Sequence, residues 1–154
     1  MTKLDTEPAV TDARACVHAR LMDAPPERVF QAFADPAHLA RWWGPNGFSS
    51  TFEEFDFRAG GTWRFVMQGP DGREYPNESV FLEVVDRKRV VLEHLSEGHH
   101  FLLTITLEPQ GKGTRVGWRQ EFDTIEHRER VAPFVLQANE QNLDRWEAEV
   151  RRVA

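Results

Sequence analysis

Along residues 13–22, Ala13, Ala15, Val17, Ala19 and Leu21 share one parity, and Arg14, Cys16, His18 and Arg20 share the other. Alternation with a period of two predicts a half-buried strand, with Cys16 and His18 on the outward face beside two arginines. The pattern then changes. Asp23-Ala24-Pro25-Pro26-Glu27 combines a polar cap, prolines and an acid, and so predicts a helix start; Val29, Phe30 and Phe33 form the apolar face that follows. Asp35-Pro36 repeats the signal for a second short helix holding Leu39, Trp42 and Trp43, which Gly44-Pro45-Asn46-Gly47 ends.

From 48 to 122 the chain reads as hairpins. Turn residues cluster at Gly60-Gly61, Pro70-Asp71-Gly72, Asp86-Arg87-Lys88, Ser96-Glu97-Gly98 and Gln110-Gly111-Lys112-Gly113. They separate six strand candidates, with Pro76 expected at a bulge or an edge. Short connections force antiparallel pairing, and the first strand brings the count to seven. The last element is a long helix over about 123–153, with Asp123 and Glu126 in capping-box spacing and Pro133 either kinking it or marking the start of its regular part. These elements predict an α+β fold, in which the terminal helix lies across the concave face of a curved sheet.

Strand parity converts this layout into a list of inward side chains. Trp63, Phe65 and Met67 share a face, as do Val116, Trp118, Gln120 and Phe122, and so do Val90, Leu92 and His94. Phe101, Leu103, Ile105 and Leu107 form another set. His99 falls inward and His100 outward, unless a bulge at Gly98 swaps them. For residues 74–85 two parities stay open: Asn77, Ser79, Phe81 and Glu83, or Glu78, Val80, Leu82 and Val84. The helical stripe reads Leu136, Leu143, Trp146, Val150 and Val153, with Asn139 and Glu140 filling the gap between the two leucines. Buried polar groups without partners cost about 1–3 kcal/mol each, so inward positions such as His94, Gln120, Asn139 and Glu140 imply a paired, wet or liganded space. The pattern therefore predicts a mainly apolar cavity between sheet and helix. Its candidate lining is Trp63, Phe65, Met67, Phe81, His94, His99, Trp118, Gln120, Asn139, Glu140 and Leu143.

Composition narrows the function classes. The chain has 154 residues, a length that can bury a core without a metal or disulfide staple. Its one cysteine, Cys16, excludes an internal disulfide and a multi-cysteine zinc site. A net charge of −6, with no dense basic cluster, argues against nucleic acid. No apolar run is long enough to span a membrane, and residues 1–12 read as a disordered or extended polar lead without a secretion core, so a cytoplasmic protein is expected.

Three segments in order, Trp42-Trp43-Gly44-Pro45, Asp56-Phe57-Arg58-Ala59-Gly60-Gly61-Thr62-Trp63-Arg64-Phe65-Val66-Met67 and Pro70-Asp71-Gly72-Arg73-Glu74-Tyr75, resemble the activator-of-heat-shock-protein-ATPase homologue family. That family belongs to the START-like, or SRPBCC, superfamily. The resemblance covers roughly 13–153 and implies the helix-grip fold of the birch-pollen allergen as a single domain over 13–154. It implies a strand, two short helices, six strands and a long C-terminal helix around a hydrophobic cavity. Where the family often carries a Gly-Trp pair, this chain has Asn139-Glu140, which makes that part of the pocket more polar.

The resemblance admits three functions. One is binding of a small hydrophobic molecule without catalysis. Another is a polyketide cyclase, dehydratase or hydrolase using the same cavity, with His94 as candidate general base supported by Glu140 or Glu78. The third is a chaperone ATPase co-regulator, against which a chain of one domain speaks. His94, His99 and His100 with Glu78 or Glu140 match no known metal-ligand spacing, so no metal and no cofactor are assigned. No nucleophile elbow or phosphate loop is present. Trp42 and Trp43 are expected to pack under the sheet and cap the core. The expected partner is a small hydrophobic molecule, with no nucleic acid or membrane, and the expected state a monomer or homodimer.

Overall fold

The computed structural model describes residues 13–96 and 98–153; the lead expected over 1–12 lies outside them. The elements run β1 (Ala15–Met22), α1 (Pro26–Ala34), α2 (Pro36–Trp42), β2 (Ser49–Phe55), β3 (Thr62–Gln68), β4 (Glu74–Val85), β5 (Arg89–His94), β6 (Phe101–Gln110), β7 (Gly113–Phe122) and α3 (Ile125–Arg152). Each hairpin read from the turn residues is formed. The seven strands make one antiparallel sheet in the order β1-β7-β6-β5-β4-β3-β2, curved around the long helix. This is the α+β helix-grip architecture.

Both short helices begin at a proline, whose missing N–H has no acceptor to lose in a first turn. Asp35 caps α2 by accepting from the Ala37 backbone N–H at 2.9 Å. At the turn between β2 and β3 only glycine fits position 61, because a Cβ there would lie 1.9 Å from the Asp56 carbonyl oxygen. The close approach lets the Gly60 N–H donate to the Phe81 carbonyl at 2.7 Å, and the Phe81 N–H to the Gly61 carbonyl at 2.9 Å.

The open parity of β4 is resolved by a bulge. Register shifts between Phe81 and Glu83, so Asn77, Ser79 and Phe81 face inward before it, and Val84, opposite the buried Val90, faces inward after it. Pro76 pairs with β3, in a stretch of β4 that runs past the end of β5. It therefore occupies an effective edge, where a missing donor is tolerated.

Three expectations are corrected. The parity of β1 is opposite to that read from its alanines. Cys16 lies opposite Gln120 and His18 opposite Trp118, and directly opposed residues share a face. Cys16, His18, Arg20 and Met22 therefore face α3, and Val17 and Leu21 are left 37% and 55% exposed. The stripe of α3 is also rotated: Leu136 and Val153 are exposed, and the buried face runs through Ala132, Val135, Ala138, Asn139, Asn142, Leu143, Trp146 and Val150. Small residues pass closest to the sheet, which the weight given to large side chains concealed. The helix runs unbroken through Pro133, and its cap is Thr124, whose hydroxyl accepts from His127 N–H at 3.0 Å. Asp123 instead accepts from His100 at 2.7 Å.

Under α1 and α2 the space between the layers is full. Trp42 and Trp146 stack with centroids 4.7 Å apart and planes 7° from parallel. Their indole N–H groups donate to the carbonyls of Ala32 at 2.9 Å and Val29 at 3.1 Å. Glu149 ties the end of α3 to α2, accepting from His38 at 2.8 Å and Arg41 at 3.1 Å as well as from Arg152 at 2.8 Å.

Candidate functional site

Beyond this aromatic block the sheet and α3 diverge around a partly open cavity of about 550 Å³. Phe65 and Met67 of β3, Leu92 and His94 of β5, Leu103 of β6 and Trp118 of β7 line its sheet side. Val135, Ala138, Asn139 and Asn142 form its helical roof, because the buried stripe of α3 carries small and amide side chains there and bulky ones further along. The loop after α2 closes one end with Trp43, Gly44, Pro45 and Phe48. Two side chains of α3 fix that loop: Asn142 Oδ1 accepts from Gly44 N–H at 2.8 Å, and Arg145 donates to the carbonyls of Gly44 and Pro45 at 2.6 and 2.9 Å. Gly44 holds φ at +113°, a conformation that disfavours any side chain.

Seven of the eleven residues expected to line the cavity do so: Phe65, Met67, His94, His99, Trp118, Gln120 and Asn139. The other four are placed elsewhere. Trp63, Phe81 and Leu143 point inward but are fully buried in the packed core; Trp63 and Phe81 stack at 5.9 Å, and Trp63 meets Trp43 at 4.8 Å. Glu140 lies on the outer flank of α3, where it accepts from His18 Nδ1 at 2.5 Å and from Arg20 at 3.1 Å. Trp42 belongs wholly to the core, whereas Trp43 is both core and cavity wall, stacked on Trp118 at 5.7 Å.

Lining residues that the sequence reading passed over include Ala138, next to Asn139, Asn142, three residues beyond Asn139, and Phe134 at the mouth. Their signal was the spacing of alanines and asparagines along one face of the helix. The contribution of β1 was missed with its parity. A free cysteine is among the most buried residue types, and Cys16 was the available hint.

The polar groups fall into two clusters. At the β5–β6 end, His94 Nδ1 contacts the His99 carbonyl at 3.0 Å, and Nε2 contacts Asn77 Oδ1 at 2.8 Å. Burial lowers the His94 pKa against the opposing effect of that carbonyl. His99 is held at about 4, by burial first and then by His94, His127 and Arg130. Its Nδ1 lies 3.2 Å from His127 Nε2. His100 faces outward as expected, between Glu93 at 2.6 Å and Asp123 at 2.7 Å, and these bonds raise its pKa. His94 thus has amide, carbonyl and hydroxyl neighbours, and neither Glu78 nor Glu140 makes a hydrogen bond to it. Among the described residues, no group of three or more His, Cys, Asp or Glu side chains is placed to hold a metal.

The second cluster joins β1, β7 and α3. Asn139 Nδ2 donates to Gln120 Oε1 at 3.0 Å and contacts His18 Nε2 at 3.3 Å. Burial pushes the Glu140 carboxyl up, but hydrogen bonds and charge from His18 and Arg20 outweigh it and hold the pKa below its ordinary value.

Comparison with known proteins agrees with this architecture. The family model described as "Activator of Hsp90 ATPase homolog 1-like protein" matches residues 23–151. A crystal structure of a Nitrosomonas europaea protein superposes with a TM-score of 0.84 at 23% identity, covering 99% of this chain and 100% of that one. A Chromobacterium violaceum protein is 30% identical over 87% of this chain and 95% of its own, with a TM-score of 0.76. The AHSA1 protein of Silicibacter pomeroyi gives 0.74 at 22% identity, over 91% of this chain and 99% of that one. No curated protein matches. Among the described residues no helix is long and apolar enough to cross a membrane.

Proposed function

The chain belongs to the family of Activator of Hsp90 ATPase homolog 1-like proteins, and on that premise we propose that it binds a small, largely apolar molecule between the sheet and α3, without chemical conversion. The observation that carries this reading is the unfilled space of about 550 Å³ immediately beside a fully packed aromatic core. That volume is within the range of small-molecule pockets. Trp43, Phe65, Met67 and Trp118 supply apolar contact, and His94, His99, Gln120 and Asn139 supply the few polar groups that orient a guest.

The catalytic alternative needs a positioned base. Burial disfavours the charged form of His94, and the carboxylates first considered as its support are engaged elsewhere or face away, which favours simple binding. Titration with fatty acids, aromatic polyketides and terpenoids, read by quenching of tryptophan fluorescence, tests the proposal, because Trp43 and Trp118 form the wall. Saturable quenching by one class supports it. A flat response to every class overturns it.

A further inference from the structure

Two amides in the cavity wall are left with a donor and an acceptor that nothing among the described residues uses. Asn139 is 5% exposed and Gln120 6% exposed, and both line the cavity. Asn139 Nδ2 has two hydrogens, and both are engaged, one by Gln120 Oε1 and one by His18 Nε2. Asn139 Oδ1 and Gln120 Nε2 are then left over, with no partner among the described residues. Groups so deeply placed lose the full value of a hydrogen bond if they meet only hydrocarbon.

Their orientation is set from outside the cavity. Glu140 is an acceptor only, so His18 Nδ1, which faces it, carries a proton. In the neutral ring His18 Nε2 presents a lone pair, and Asn139 turns its NH₂ toward it. That NH₂ also meets Gln120, which must turn its carbonyl back and its own NH₂ away. The carboxylate on the flank of α3 thereby fixes which atoms the cavity shows. Reversing both amides together would exchange the roles of the two residues, yet the pair would still offer one donor beside one acceptor. Trp118 stands two residues before Gln120 on the same face of β7, roughly 7 Å away by strand geometry, and lines the cavity beside the pair.

We propose that Asn139 and Gln120 form a complementary donor–acceptor pair that selects a neutral, planar guest bearing an N–H beside a C=O, as in an aromatic lactam or cyclic amide. The guest N–H donates to Asn139 Oδ1, and its carbonyl accepts from Gln120 Nε2. An ionised carboxylate, which only accepts, would meet the Asn139 oxygen unfavourably. A lactone, ester or hydrocarbon would leave it unpaired. The proposal rests on the cavity being a binding site, so its test must be able to fail separately.

Calorimetric titration with 2-quinolone and coumarin provides that separation. The two bicyclic rings have nearly the same shape, and differ in that the ring N–H of the lactam is a ring oxygen in the lactone. Tighter binding of 2-quinolone by about tenfold or more is expected, the scale of one lost buried hydrogen bond. Asn139→Leu should bring 2-quinolone toward the affinity of coumarin and leave coumarin little changed, whereas Gln120→Leu, which removes the donor to the carbonyl that both rings carry, should weaken both by a similar factor. Equal affinities for the two rings in the unaltered protein would overturn the donor–acceptor pair and leave apolar binding standing. Binding of neither ring, while other apolar probes do bind, would likewise overturn the pair alone. Binding of no probe of any class would overturn both readings.

Discussion

The layer between sheet and helices is built in two ways within one molecule. Beneath α1 and α2 it is closed by aromatic rings in direct contact, with Trp42 on Trp146 and Phe33, Phe57, Trp63 and Phe81 around them. Toward the first half of α3 the same layer is roofed by Val135, Ala138, Asn139 and Asn142, which leave a hollow. The sheet is continuous beneath both. What differs is the size of the side chains on α3 and the presence of the two short helices. Close packing thus lies at one end and free volume at the other.

The sharpest way to break that comparison is to open a hole in the filled half. Trp146→Ala removes a fully buried ring, its stacking on Trp42 and its hydrogen bond to Val29. A loss of roughly 3–5 kcal/mol in denaturant unfolding is expected. A loss below about 1 kcal/mol would show that this half is not the stabilising one.

Next in size is the carboxylate that ties α3 to α2. Glu149 is held at about 2, chiefly by hydrogen bonding from Arg152, against the cost of burial and with help from His38 and Arg41. Its folded pKa lies below the ordinary value of 4.5, so its stabilisation is complete above about pH 4.5 and fades as the pH falls toward 2. Glu149→Gln should cost on the order of 3 kcal/mol at pH 7, and the gap to the unaltered protein should close near pH 2.

At the hollow end the titrating group is of the opposite kind. His99 is kept neutral down to about pH 4, below its ordinary 6.5. The unfolded chain takes up that proton first, so stability should decline as the pH falls from 6.5 to 4 and level off below. His99→Gln should flatten the decline in urea midpoints measured across that window. The smallest effect belongs to the rim. Phe134 is 61% exposed at the cavity mouth, so Phe134→Ser should change stability by no more than about 0.5 kcal/mol. It should nevertheless weaken probe binding severalfold in a fluorescence titration.

The two halves were not equally legible in the sequence. Prolines and aspartates marked the short helices, glycine and aspartate turns marked the hairpins, and parity placed Phe65, Met67, His94, Trp118 and Gln120 correctly, because a strand allows only two faces. It could not distinguish an inward residue that fills the core, such as Trp63 or Leu143, from one that borders a void, because that depends on what stands opposite. Glu140 was misplaced for a related reason: helical spacing sets neighbours on a face within about 100°, and one residue separates the roof from the flank. His18 and Arg20 were hidden by β1, whose alanines gave an alternation with the wrong sign until pairing with β7 fixed it.

Adding bulk to the roof tests the hollow most directly. Ala138 lines the cavity from the middle of α3, and a phenylalanine there would project into the open space. Titrating a neutral apolar fluorophore such as N-phenyl-1-naphthylamine into the unaltered protein and into Ala138→Phe, alongside thermal unfolding of both, should show saturable uptake by the first only, with unfolding temperatures that differ by a few degrees at most. Equal uptake by both proteins, or a collapse in the stability of Ala138→Phe of the kind an overpacked core produces, would contradict the account.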